Sequence, residues 1–160
     1  MTTNSGTWDI KPGALITLQT EKIGMTSLEV TAPVTGGRLH IVTHTVEIML
    51  EMSLEKLKAS NFLMQGAARA LVKRFDGDRL LFDAKGSASA QPWEVSGNAK
   101  AGQVDVPMTV SATPQPTEQP AQLLLGGTVT MNDISIPIPG LGGINSVTFT
   151  IDGTVDLTRA

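Results

Sequence analysis

With 160 residues, 41% of them hydrophobic and 17% charged, the chain has apolar material for a single domain with a buried core and lacks a disordered composition. A formal charge of −3 argues against nucleic acid as a partner, and the absence of cysteine excludes disulfides, thiolate metal sites and cysteine nucleophiles. No apolar run approaches the roughly 20 residues of a membrane helix, so no membrane span is expected.

Residues 1–6 are polar and carry no basic stretch followed by an apolar run. They read as a flexible tail on a cytoplasmic protein, although a periplasmic or secreted protein whose leader had been removed would look the same. Period-two alternation then dominates, the mark of strands with one buried face. Residues 14–21 set Ile16 and Leu18 against Thr17, Gln19 and Glu21. Further strands are predicted at 27–32 and 37–42, parted by a turn at Thr35-Gly36-Gly37. Residues 46–52 alternate most clearly, with Val46, Ile48, Leu50 and Met52 opposite Glu47 and Glu51.

Residues 53–75 break the pattern with helix formers, and Ser53 stands where it can cap a first turn with Glu55 near its positive end. Asn61 and Gly66 divide this helical insert, whose second piece places Leu71 and Phe75 on one face. Such an insert is expected to plug or flank one end of a barrel. Strands follow at 79–86, 92–99 and 104–112. Residues 111–122, with three prolines, read as a solvated connection. The last strands are predicted at 123–131, 134–138 and 147–158. Between the final two, residues 135–145 are apolar but punctuated by Pro and Gly, fitting either a loop at a cavity mouth or an edge strand with a wide turn. Many short strands with turns between them mean a sandwich or a barrel.

Chemistry-bearing clusters do not emerge. His40 and His44 on one strand would lie about 13 Å apart, too far to share a metal. Glu47 and Glu51 are separated by the same distance of about 13 Å, which exceeds a glycosidase carboxylate pair, and they read as the solvent side of their strand. Asp76, Asp78 and Asp83 do not have calcium-loop spacing, and no histidine stands placed to activate a serine or threonine. No enzyme, no metal and no cofactor are expected.

Several short motifs occur in a recognisable order. Gly6-Thr7-Trp8-Asp9-Ile10-Lys11-Pro12 opens the chain, followed by Gly37-Arg38-Leu39-His40-Ile41, the run from Val46, and Leu80-Leu81-Phe82. Trp93-Glu94-Val95-Ser96-Gly97-Asn98 comes next, then Val129-Thr130-Met131-Asn132, Ile136 and the closing run 147–155. In this order, over residues 7–158, the chain resembles the YceI-like family of polyisoprenoid-binding proteins, bacterial lipocalin-like β-barrels. It departs from the family pattern at Lys22, where a histidine is common, in the loose match of 57–62 to its helical signature, and at Lys100-Ala101-Gly102-Gln103, where the family has a histidine-led turn.

The expectation is therefore an all-β single domain over residues 1–160: an antiparallel eight-stranded barrel with a short helical insert at 53–75. Such a barrel is wide enough either to be filled by side chains or to hold one slim ligand. Four Phe, two Trp and seven adaptable Met by themselves fit ordinary aliphatic packing better than a cavity; taken with the resemblance, the few aromatics lead to the expectation of a narrow apolar pocket. Its expected lining is Ile16, Leu18, Val46, Ile48, Leu50, Met52, Leu80 and Phe82. The resemblance implies an isoprenoid quinone, a polyprenyl or another lipid-like chain as ligand. Lys22 is the candidate for a ligand head group at the mouth, its plainer role being an exposed strand-end lysine. The alternative is a structural protein with a solidly packed barrel, acting as a homodimer or through partner contacts.

Overall fold

The computed structural model describes residues 4–20, 29–59, 66, 69, 78–102, 104–138 and 142–160, with residues 104, 131–138 and 142–147 described by backbone alone. Its strands, in chain order, are β1 (Gly6–Ile10), β2 (Leu15–Thr20), β3 (Glu29–Val42), β4 (Thr45–Ser53), β5 (Lys58–Ala59), β6 (Arg79–Ser87), β7 (Trp93–Ala101), β8 (Val104–Gln115), β9 (Gln122–Ile138) and β10 (Gly142–Arg159). Along the circuit β2-β3-β4-β6-β7-β8-β9-β10 each strand pairs with the next, and β10 pairs back to β2. Eight antiparallel strands thus close a barrel. Closure removes the free edges of the circuit.

The two remaining strands share slots with their neighbours. β1 lies in line with β2 between β3 and β10, with Trp8 opposite Leu39 on one side and Arg159 on the other. β5 follows β4 alongside β3, where Ala59 faces Val30.

Alternation decides which face turns inward. On β4, Val46, Ile48, Leu50 and Met52 are buried, while Glu47 and Glu51 point out toward Lys85 and Arg79 at 3.5 and 3.7 Å. These exposed cross-strand pairs contribute at most about 1 kcal/mol each. On β10, Phe149, Ile151 and Val155 are buried, whereas Thr150, Asp152, Thr154 and Asp156 are exposed. Apolar-in and polar-out is the inverse of a lipid-facing barrel, whose outer band is apolar. Among the described residues no helix is long and apolar enough to cross a membrane.

The Thr35-Gly36-Gly37 segment is a bulge, not the expected turn. Val34 faces Met52 and Gly36 faces Glu51, so β3 carries one extra residue there and continues as one strand. The Thr35 hydroxyl donates to the Glu51 carboxylate at 2.9 Å. Gly37, at φ +152°, brings β3 so near β4 that a Cβ would run into the Met49 carbonyl oxygen. The bulge changes which parity faces in: Val30, Ala32 and Val34 before it, Leu39 and Ile41 after it.

The first residues of the expected helical insert are not helical. Ser53 ends β4, and the Leu57 N–H closes a turn on the Leu54 carbonyl at 3.2 Å. The Leu54 N–H goes instead to the Asp78 carbonyl at 2.9 Å, and Lys58–Ala59 then pair with β3. Ser53 does cap this turn, its Oγ accepting from the Lys56 N–H at 3.2 Å. Leu54 and Leu57 are both buried, so the turn carries two apolar side chains to the barrel. Beyond it, Gly66 and Arg69 have helical conformation, and the rest of 60–77 lies outside the described residues.

Other boundaries move as well. β8 extends to Gln115 and includes Pro114, because Gln115 turns its carbonyl toward Ala121 while its neighbour Pro114 faces the side where β7 has already ended at Trp93. The missing N–H of that proline therefore breaks no ladder bond. The segments predicted at 123–131 and 134–138 are one strand, β9, in a long hairpin with β10. The apolar 135–145 stretch belongs to this hairpin, with Ile138 opposite Gly142 and residues 139–141 outside the described set. Within the expected N-terminal tail, the Asn4 N–H donates to the Glu118 carbonyl and the Ser5 hydroxyl accepts from the Thr43 N–H.

Candidate functional site

The inward side chains divide the barrel into two unlike halves. One half is solid. It holds both tryptophans, Trp8 and Trp93, at 2% and 0% exposure, together with Leu39, Ile41, Val46, Leu123 and Val155, all at 0%. Two indoles fill a barrel end because each contributes more buried area than any other side chain. The Trp93 Nε1 is buried with no hydrogen-bond partner among the described residues.

The other half holds a cavity of about 90 Å³. There the strands contribute alanines, Ala32 and Ala99, alongside aliphatic side chains, two phenylalanines and two methionines. Small residues combined with flexible ones leave space that rigid indoles would have filled. The lining includes Ile16 and Leu18 from β2, Ile48, Leu50 and Met52 from β4, and Leu80 and Phe82 from β6. Val46, expected beside them, is buried in the solid half and does not line the space, because it lies nearer the opposite end of β4. Lys22 lies outside the described residues.

Further lining residues come from elements the cavity expectation left aside. Val106, Met108 and Val110 enter from β8, Leu125 and Val129 from β9, and Phe149 and Ile151 from β10. Their alternation is legible in the sequence; their meeting across the barrel is not. Leu54 and Leu57 line the cavity from the turn after β4, within the stretch that reads as helix.

Every one of these lining side chains is alanine, valine, leucine, isoleucine, methionine or phenylalanine. None can transfer a proton or act as a nucleophile, and none offers a charge or a strong hydrogen bond. The arrangement can exclude water and surround hydrocarbon, and its attraction for a guest grows with apolar area.

The polar residues considered from sequence lie elsewhere. His40 Nδ1 is 2.7 Å from the Thr7 hydroxyl between β1 and β3, whereas His44 sits in the β3–β4 hairpin turn. Glu47 and Glu51 hold their outer-face ion pairs, and Asp83 is exposed on β6. Among the described residues no three His, Asp or Glu side chains gather as a metal site would require. At the tryptophan end, Asn4, Trp8, Gln119, Pro120, Ala121, Leu157 and Arg159 border a second, more open pocket of about 460 Å³. No protein-family model matches the chain, and no curated protein matches it in sequence.

Proposed function

We propose that this protein is a non-catalytic binding protein that holds a slim apolar chain inside its barrel. The observation that carries the reading is the wholly apolar lining of the cavity, drawn from β2, β3, β4 and β6 to β10 and from the turn after β4. A ligand held there is recognised by shape and hydrocarbon surface, at about 25 cal/mol per Å² buried before ordering costs. Membership of a divergent branch of the YceI-like family is part of the same proposal, supported by the motif order described above and by a closed eight-stranded barrel. On that reading the ligand is an isoprenoid or another lipid-like chain whose polar end stays outside the apolar lining.

One observation favours a second reading, a packed barrel that acts through dimerisation or partner contacts. A cavity of about 150 Å³ takes a benzene ring, and the space here is about 90 Å³. Organic extraction of the purified protein, followed by mass spectrometry, separates the two. A binding protein yields a co-purified lipid and takes up a slim fluorescent apolar probe such as cis-parinaric acid. Leu50→Trp, at a lining position 3% exposed, then abolishes probe uptake while the protein still folds. A protein that carries no lipid and takes up no probe is the packed barrel, and Leu50→Trp then only lowers its stability, by about 1–3 kcal/mol from overpacking.

A further inference from the structure

Met52 and Met108 enter the same cavity from β4 and β8, strands separated by β6 and β7 in the barrel circuit. They therefore approach the space from well-separated walls. Met52 is buried and Met108 half-buried. Their neighbours in the lining have fewer torsions: the leucines have two rotatable side-chain bonds and a branch, the β-branched valines and isoleucines have restricted χ1, and phenylalanine moves as a rigid plate. Methionine alone in this lining has three rotatable side-chain bonds and no branch, so it can change shape at little cost.

The cavity volume gives this difference a consequence. At about 90 Å³ the space admits only a few carbon atoms. A longer hydrocarbon chain enters only if lining side chains give up volume, and the two methionines, unbranched and with one more torsion than leucine, do so at the least cost. We infer that Met52 and Met108 are the specificity-determining residues of the cavity, setting the length of hydrocarbon chain that the barrel accepts. This rests on the binding-protein reading above. Each thioether fills the middle of the barrel when the ligand is short and folds back along its strand when the ligand is long.

The test is displacement of cis-parinaric acid, a slim fluorescent hydrocarbon chain, by n-alkanols of increasing chain length. The proteins compared are wild type, M52A, M108A, M52L, M108L and the outer-face control M49A, whose side chain does not line the cavity. The alanine variants should move the preferred alkanol to longer chains and bind the longest about tenfold more tightly, the gain from roughly two further buried methylenes. The leucine variants keep similar volume but lose the flexibility, and should lose the longer alkanols. M49A should match wild type, and a thermal melt shows that each variant is folded.

An unchanged length profile in all methionine variants, with wild type binding the probe, overturns the assignment to Met52 and Met108 and leaves the binding-protein reading standing. Absence of probe binding in every protein, the alanine variants included, overturns both.

Discussion

The Arg159 guanidinium of β10 lies 4.7 Å from the centroid of the Trp8 ring of β1, directly across the strand pair in which the two residues face each other. Trp8 is 2% exposed, while Arg159 lies on the surface. The indole thus belongs to the tryptophan end of the barrel, and the cation, on the same face of the sheet, caps it at the rim. β1 is held on its other side by β3, where Trp8 meets Leu39. The two partners make unequal contributions. Trp8→Ala should cost about 3–5 kcal/mol, the range for removing a buried aromatic, and Arg159→Ala only about 0.5–1 kcal/mol. Urea unfolding of both variants measures this, and equal losses would show that Trp8 is not part of the core.

The unlike halves of the barrel should also respond differently to truncation. Leu39, at 0% exposure in the tryptophan-bearing half, gives up a fully buried side chain, so Leu39→Ala should cost about 2–5 kcal/mol. Leu18 is half-buried and borders the cavity, so Leu18→Ala gives up less buried surface and should cost about 1–1.5 kcal/mol. Chemical denaturation of the pair checks the ordering, and a reversed ordering would contradict a barrel packed tightly at one end only.

Adjacent glycines at the β3 bulge should behave in opposite ways. A Cβ at Gly36 meets nothing within 4 Å, so Gly36→Ala should be neutral or stabilising by up to about 1 kcal/mol through the unfolded chain. At Gly37 the φ of +152° and the approach to the Met49 carbonyl leave no room for a Cβ. Gly37→Ala should cost about 2 kcal/mol or more. The difference in melting temperature between the two variants reads the result directly. Equal effects would mean that β3 does not bulge here.

Much of the barrel is legible in the sequence because alternation is local. Val46, Ile48, Leu50 and Met52 announce an inward face on their own, and Glu47 and Glu51 announce the outward one. The bulge was legible in part: inward residues run Val30, Ala32, Val34 and then Leu39, Ile41, and this change of parity is visible without a structure. It reads as a turn because Gly-Gly is turn chemistry, whereas the close backbone approach to Met49 that keeps the strand extended is a tertiary contact. The turn at Leu54–Leu57 was hidden for a similar reason. Leu, Lys and Glu favour a helix locally, but Lys58 and Ala59, which would have continued it, pair with Thr31 and Val30 of β3, distant in sequence.

The cavity shows the same division. By itself the sequence determined that this chain forms strands with one apolar face and that few aromatics are available to fill what the strands enclose, since side-chain period and composition are properties of the chain alone. Tertiary structure decided where the space would lie. Closing the circuit sent both tryptophans to one half and gathered Ala32, Ala99, Met52 and Met108 in the other. Which side chains share a layer depends on strand order and register, and those follow from pairing between distant segments. That is why Val46, alternating in step with Ile48 and Leu50, packs at the solid end while its neighbours face the cavity.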